Sequence, residues 1–173
     1  SADIITMLET GSSFNIFNDN FIGTNAAGDD YGGNIGLYVQ DASSNQFIRN
    51  TISFNQTGIF NRSGAQNNYY SETNFYCNEN VAINMEGGGN GGIQPPVITS
   101  ATPDAVSGTA APNAEVQFYF QDNDACPGNT TCQGFYIGQL TADASGNFSG
   151  PATLTEGQVI TATQYDPNTL NTS

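Results

Sequence analysis

Asn15-Ile16-Phe17, Asn20-Phe21-Ile22 and Thr24-Asn25 recur along this chain as Asn45-Gln46-Phe47, Asn50-Thr51-Ile52 and Phe54-Asn55, and again as Asn68-Tyr69-Tyr70, Thr73-Asn74-Phe75 and Cys77-Asn78. Each copy is followed by a small residue and an aliphatic one: Gly36-Leu37, Gly58-Ile59 and Ala82-Ile83. The first offset is 30 residues and the second 23, while the closing pairs are spaced by 22 and 24. That period is the length of one solenoid coil. Aligned copies place Phe17, Phe47 and Tyr70 in one column, Ile22, Ile52 and Phe75 in a second, and Leu37, Ile59 and Ile83 in a third.

Within each rung the inward and outward positions alternate, as in Asn20, Ile22 and Thr24, so the elements are short strands of period two. Three short strands per turn, stacked in register, predict a right-handed parallel β-helix. No coil buries its own apolar face, so its neighbours must cover it. The Asn columns 15/45/68 and 25/55/78 fall where the chain turns. Asn tolerates left-handed backbone angles, and its amide bonds along the stack, so both columns read as structural. Cys77 shares the slot of Thr24 and Phe54 and reads as a small buried hydrophobe. Leu8 lies nine residues before Phe17, much as Leu37 lies ten before Phe47. Ile4, Ile5 and Leu8 therefore read as the end of an earlier coil, as if the chain begins inside a longer solenoid.

The first copy departs from the others by an insertion. Ten residues separate Asn25 from Gly36, against two or three at the matching place later, and the extra piece is Ala26-Ala27-Gly28-Asp29-Asp30-Tyr31-Gly32-Gly33. Loops that leave a rigid coil are where solenoids carry function. Asp29 and Asp30 offer oxygen ligands to a hard cation such as calcium, as do Asp122 and Asp124 on alternate positions of a polar loop. Tyr31 and Tyr38 offer aromatic faces to a sugar ring.

The repeat stops at Glu86-Gly87-Gly88-Gly89-Asn90-Gly91-Gly92, and Ile93-Gln94-Pro95-Pro96 completes a connector. Residues 1–86 thus form the coils, 87–96 a linker and 97–173 a second unit. In that unit alternating segments at 97–99, 105–109, 114–120, 134–141, 146–149 and 158–163, divided by Pro112-Asn113 and Ser145-Gly146-Asn147, predict a β-sandwich. Cys126 and Cys132 enclose only five residues of a polar loop. They are expected to close it by a disulfide, which implies an oxidising setting. The fold class is all-β throughout.

Val97-Ile98-Thr99-Ser100-Ala101, Val106 to Val116 around Pro112-Asn113, Tyr136-Ile137-Gly138 and Thr141 to Phe148 resemble the immunoglobulin-like modules of large secreted bacterial surface proteins. The first half resembles the parallel β-helix repeat superfamily, which includes pectate lyases, polygalacturonases, adhesins and phage tailspikes. Together they look like cell-surface proteins exported by type IX secretion. Such modules usually add a last strand after the position of Ser173, so the resemblance implies a longer parent protein. It also implies a secreted or cell-surface location.

Sixteen acidic residues stand against Arg49 and Arg62, with no Lys or His, for a net charge of −14. Nucleic acid is therefore a poor partner, since so few cations release few counterions. No stretch reaches the ~18 apolar residues of a spanning helix, so membrane insertion is not expected. Lyases of the β-helix superfamily use an Arg or Lys base beside calcium-binding acids, and its hydrolases pair aspartates with a His and an Arg-Ile-Lys segment. For the first pattern this chain offers only Arg49 and Arg62, at different points of their coils, and for the second only Asp29-Asp30. The expected function is structural and adhesive, without catalysis and with no certain cofactor. A polysaccharide-binding or polysaccharide-processing role and a self-assembling extracellular filament are the alternatives. The partners expected are other parts of a longer parent chain, identical subunits, or glycans.

Overall fold

The computed structural model describes residues 4–121, 126 and 134–173. A first strand, β1 (Ile4–Leu8), precedes three successive coils of three strands each. They are β2 (Ile16–Asn18), β3 (Phe21–Ile22) and β4 (Ile35–Val39); β5 (Gln46–Ile48), β6 (Thr51–Ser53) and β7 (Thr57–Asn61); and β8 (Tyr69–Ser71), β9 (Asn74–Tyr76) and β10 (Val81–Met85). Three sheets run along the stack, β1-β4-β7-β10, β2-β5-β8 and β3-β6-β9, and their pairings are parallel. This is the architecture of a β-helix-like solenoid.

The three apolar columns are in the expected register: Phe17 opposite Phe47 opposite Tyr70, Ile22 opposite Ile52 opposite Phe75, and Leu37 opposite Ile59 opposite Ile83. They meet in one core, where Phe17, Phe47 and Tyr70 stack with 5.0 Å between successive ring centroids. Burying each such side chain contributes about 1.5–3 kcal/mol. An earlier strand does lie beside β4, as Leu8 suggested, but Leu8 faces Val39 and not Leu37.

The corners are built differently from the expectation. The Asn residues do not take the left-handed angles; the residues before them do. Phe14, Ser44 and Asn67 have φ of 61, 60 and 57°, Asp19, Arg49 and Glu72 of 58, 53 and 51°, and Phe54 and Cys77 of 60 and 52°. An Asn follows each of these corners except Glu72, which Thr73 follows, and is free to aim its amide along the stack. The N–H and Nδ2 of Asn15 donate to Asn45 Oδ1 at 3.0 Å, and those of Asn45 donate to Asn68 Oδ1 at 3.1 Å. A further column was not singled out by the repeat: Asn20 makes the same pair of bonds to Asn50 Oδ1.

In the second half all six expected strands form, as β11 (Val97–Thr102), β12 (Ala105–Thr109), β13 (Glu115–Phe120), β14 (Phe135–Thr141), β15 (Asn147–Pro151) and β16 (Ile160–Asp166), with a short β17 (Asn171–Thr172) added. Two antiparallel sheets, β11-β12-β15 and β14-β13-β16-β17, enclose Val106, Val116, Phe118, Ala142 and Phe148. The Gly-rich connector is more ordered than its composition suggested. Glu86–Gly92 forms a kinked 3-10 segment, and Asn90 is fully buried within it. Asn90 Oδ1 accepts the Asn68 N–H at 2.8 Å, so the connector supplies one more rung of the Asn ladder.

Candidate functional site

The insertion of the first coil occupies Thr24 to Tyr31, eight residues that separate Gly23 from Gly32. Its ends are clamped by the Tyr31 N–H donating to Gly23 O at 2.9 Å. The boundary expected at Ala26 to Gly33 is corrected accordingly. Asn25 leaves the ladder, and Gly33 takes its place by donating its N–H to Asn55 Oδ1 at 3.2 Å. Gly32 is required there, because a Cβ would lie 1.7 Å from Phe54 O. Released from the stack, Asn25 organises the loop: its Oδ1 accepts the N–H of Ala27 and of Asp29, and its Nδ2 donates to Asp29 Oδ2 at 2.8 Å.

Asp30 points elsewhere and accepts the Gly32 N–H at 3.0 Å through Oδ1. The two carboxylates proposed as calcium ligands are thus engaged in separate turns. Asp122 and Asp124, the other pair, lie outside the described residues. Among the described residues, no three of His, Cys, Asp and Glu are grouped to hold a metal ion. Tyr31 projects from the loop with 64% of its surface exposed. Tyr38 is not beside it. It stands on β4, half-buried, with its ring 5.8 Å from that of Phe60 on the next coil and its hydroxyl donating to Gln40 Oε1.

Both cations are held at the surface. Arg49 makes a two-pronged pair with Asp19 at 2.9 and 3.0 Å, which holds the Asp19 carboxyl below its ordinary range. Arg62 pairs with Glu86 at 2.9 Å, and its guanidinium lies 5.8 Å from the Phe60 ring. Neither Arg faces Asp29 or Asp30 through an ion pair.

A polar cluster lies where the halves meet. β13 is buried on both sides: Val116 and Phe118 face the core of the second half, while Gln117 and Tyr119 face the last coil. Gln117 Nε2 donates to Ser71 Oγ at 2.8 Å, and its Oε1 accepts the Glu72 N–H at 2.9 Å. Tyr69 donates its hydroxyl to Glu115 Oε1 at 3.0 Å, and its ring meets that of Tyr165 at 4.5 Å. Burial raises the Tyr69 phenol to about 12 and pushes those of Tyr70 and Tyr119 further up. At neutral pH these hydroxyls stay protonated and keep a proton to donate, which suits an assembly role.

The disulfide also crosses this joint. Cys126 is bonded to Cys77, not to Cys132 as expected, and Cys132 lies outside the described residues. The short spacing of Cys126 and Cys132 suggested local closure, but proximity is decided by the sheet contact. Phe75 and Gly134 exchange both main-chain bonds, at 2.9 and 2.7 Å, and so bring the end of the Cys126 loop against the corner at Cys77. Cys77 is therefore a half of a cross-link and not the inert core residue its column implied.

No protein-family model matches this chain, and neither does any curated protein. Three surfaces stand out: the Thr24 to Tyr31 loop, the joint, and a cleft beside β10. That cleft has a volume of about 580 Å³ and lies between the last coil, the connector and β16. No local pattern signals it, since its walls come from segments about 80 residues apart, such as Ile83 and Ala162.

Proposed function

We propose that this chain is a non-catalytic structural and adhesive segment of a secreted bacterial surface protein, in which a right-handed β-helix carries an immunoglobulin-like module. The observation that carries this reading is the joint. Main-chain bonds at Phe75 and Gly134, the buried Gln117 network and the Cys77–Cys126 bond make one mechanical unit of a coil stack and a sandwich. A unit of that kind displays a surface at a fixed distance and transmits load without hinging. A cross-link of this type persists outside the cell and is reduced inside it.

Screening the intact chain against immobilised neutral and acidic glycans, with product analysis of each, tests the reading. Retention without new chain ends is the expected result, and release of cleaved or unsaturated sugars overturns it. Polysaccharide binding is the second reading, favoured by the exposure of Tyr31 beside Asp29 and Asp30. On that reading Tyr31→Ala abolishes retention, and calcium raises the melting temperature of the chain relative to a chelator.

A further inference from the structure

In a coil stack each strand leaves one edge for the next coil to pair with, and the end coil must have its edges covered or leave them open. At the third coil, two of the three edges are covered by the second half of the chain. Beside β8, the Tyr70 N–H donates to Thr172 Oγ1 at 3.1 Å and the Asn67 N–H to Asn171 Oδ1 at 2.7 Å. Beside β9, the Phe75 and Gly134 main chains pair, and the Tyr136 N–H donates to Asn74 Oδ1 at 3.0 Å. Beside β10 the pattern breaks. Among the described residues, its main chain pairs with β7 on one side and with nothing on the other.

Side chains tell the same story. Leu37 and Ile59 are fully buried, whereas Ile83, the third member of their column, is only partly so, as are all five residues of β10. The open edge borders the 580 Å³ cleft, whose walls include Phe75, Ile83, Met85, Ile93, Pro95 and Tyr119. A row of unpaired main-chain groups beside an apolar wall is the arrangement that recognises an added strand.

We propose that this cleft is a binding groove for an extended peptide, which pairs with the outer edge of β10 and buries alternate apolar side chains against Ile83 and its neighbours. The occupant is a strand and not a compact apolar ligand, because the groove continues an interface in which the β9 edge of the same coil is met by the main chain at Gly134 and the main-chain N–H groups at the β8 edge by the side chains of β17. Five residues of edge at about 3.3 Å each accommodate a peptide run of similar length. With a net charge of −14 on this chain, cationic flanks on that run are favoured. The groove is independent of glycan recognition, and the two readings fail separately.

The test uses the intact, disulfide-bonded chain and a synthetic peptide of alternating Val and Thr flanked by lysines. Saturable binding by calorimetry is expected, with amide exchange slowed in β10 and unchanged in β1. The same peptide N-methylated at alternate amides keeps its side chains but cannot complete the ladder, and roughly tenfold or greater weakening is expected for it. Ile83→Glu, checked for folding by circular dichroism, should weaken binding similarly. Absence of saturable binding, equal binding of the N-methylated peptide, or exchange protection located away from β10 overturns the proposal.

Discussion

Asn68 shows how much a single amide carries in this chain. Its Oδ1 accepts two bonds from Asn45, its Nδ2 donates to Ala42 O at 2.9 Å, and its N–H is taken by Asn90. Asn68→Ala would leave the Asn45 and Ala42 groups buried without partners, at about 1–3 kcal/mol for each unsatisfied group. A loss of about 3 kcal/mol or more in urea unfolding is expected. The corner residues offer the opposite change. Phe14 sits at φ 61° with 82% of its surface exposed, so its ring contributes little packing. Phe14→Gly relieves about 1 kcal/mol of left-handed strain, and a small rise in melting temperature checks this. The Asn columns were legible because identical residues recur. Which residue takes the strained angle was not, since Phe, Ser, Asn, Asp, Arg, Glu and Cys share that role and no composition rule unites them. The buried tyrosines set the alkaline limit of the molecule. The Tyr69 phenol is raised from 10.0 to about 12, so its contribution is complete below pH 10 and is lost as pH rises through 12. Stability followed against pH should therefore hold to about pH 9 and fall above 10, together with tyrosine ionisation in the near ultraviolet.

Among the elements, the Thr24 to Tyr31 loop is the one departure from an otherwise regular stack. Its closing bond and the neighbouring Gly32 already bring the ends together. Deleting the eight residues gives a first coil that matches the 22-residue spacing from Ile35 to Thr57. Stability is expected to change by less than about 1 kcal/mol, because shortening a closed surface loop alters little entropy. Any glycan retention that depends on Tyr31 should disappear, and the same two measurements on one sample separate folding from function. The existence and type of the strands were legible from period-two alternation. The loop boundary was not, because Thr24-Asn25 copies the sequence of a ladder rung while its backbone has already left the coil. β13 was legible only in part: a strand was expected over 114–120, and the burial of Gln117 and Tyr119 depends on a contact with β8 and β9 that local sequence does not encode.

On the scale of the whole molecule, the joint makes the two halves one folding unit. Reduction, or Cys77→Ser, removes a cross-link spanning 49 residues, and loss of that constraint on the unfolded chain costs about 4 kcal/mol. Unfolding of the oxidised chain is expected to be a single transition, seen alike by tyrosine fluorescence and far-ultraviolet circular dichroism. Two separated transitions would show that the joint is weaker than its contacts imply. By itself the sequence determined the coil period, the three apolar columns, the Asn ladders and the six strands of the second half. All of these are set by local alternation and by repetition, which place like residues above one another. Only the tertiary structure decided the partner of Cys126, the role of Asn90 as a last rung, the covering of β8 and β9 and the open edge of β10. Each of these depends on how the second half seats on the end of the stack, and such contacts between distant segments follow from shape and burial that no spacing in the chain records.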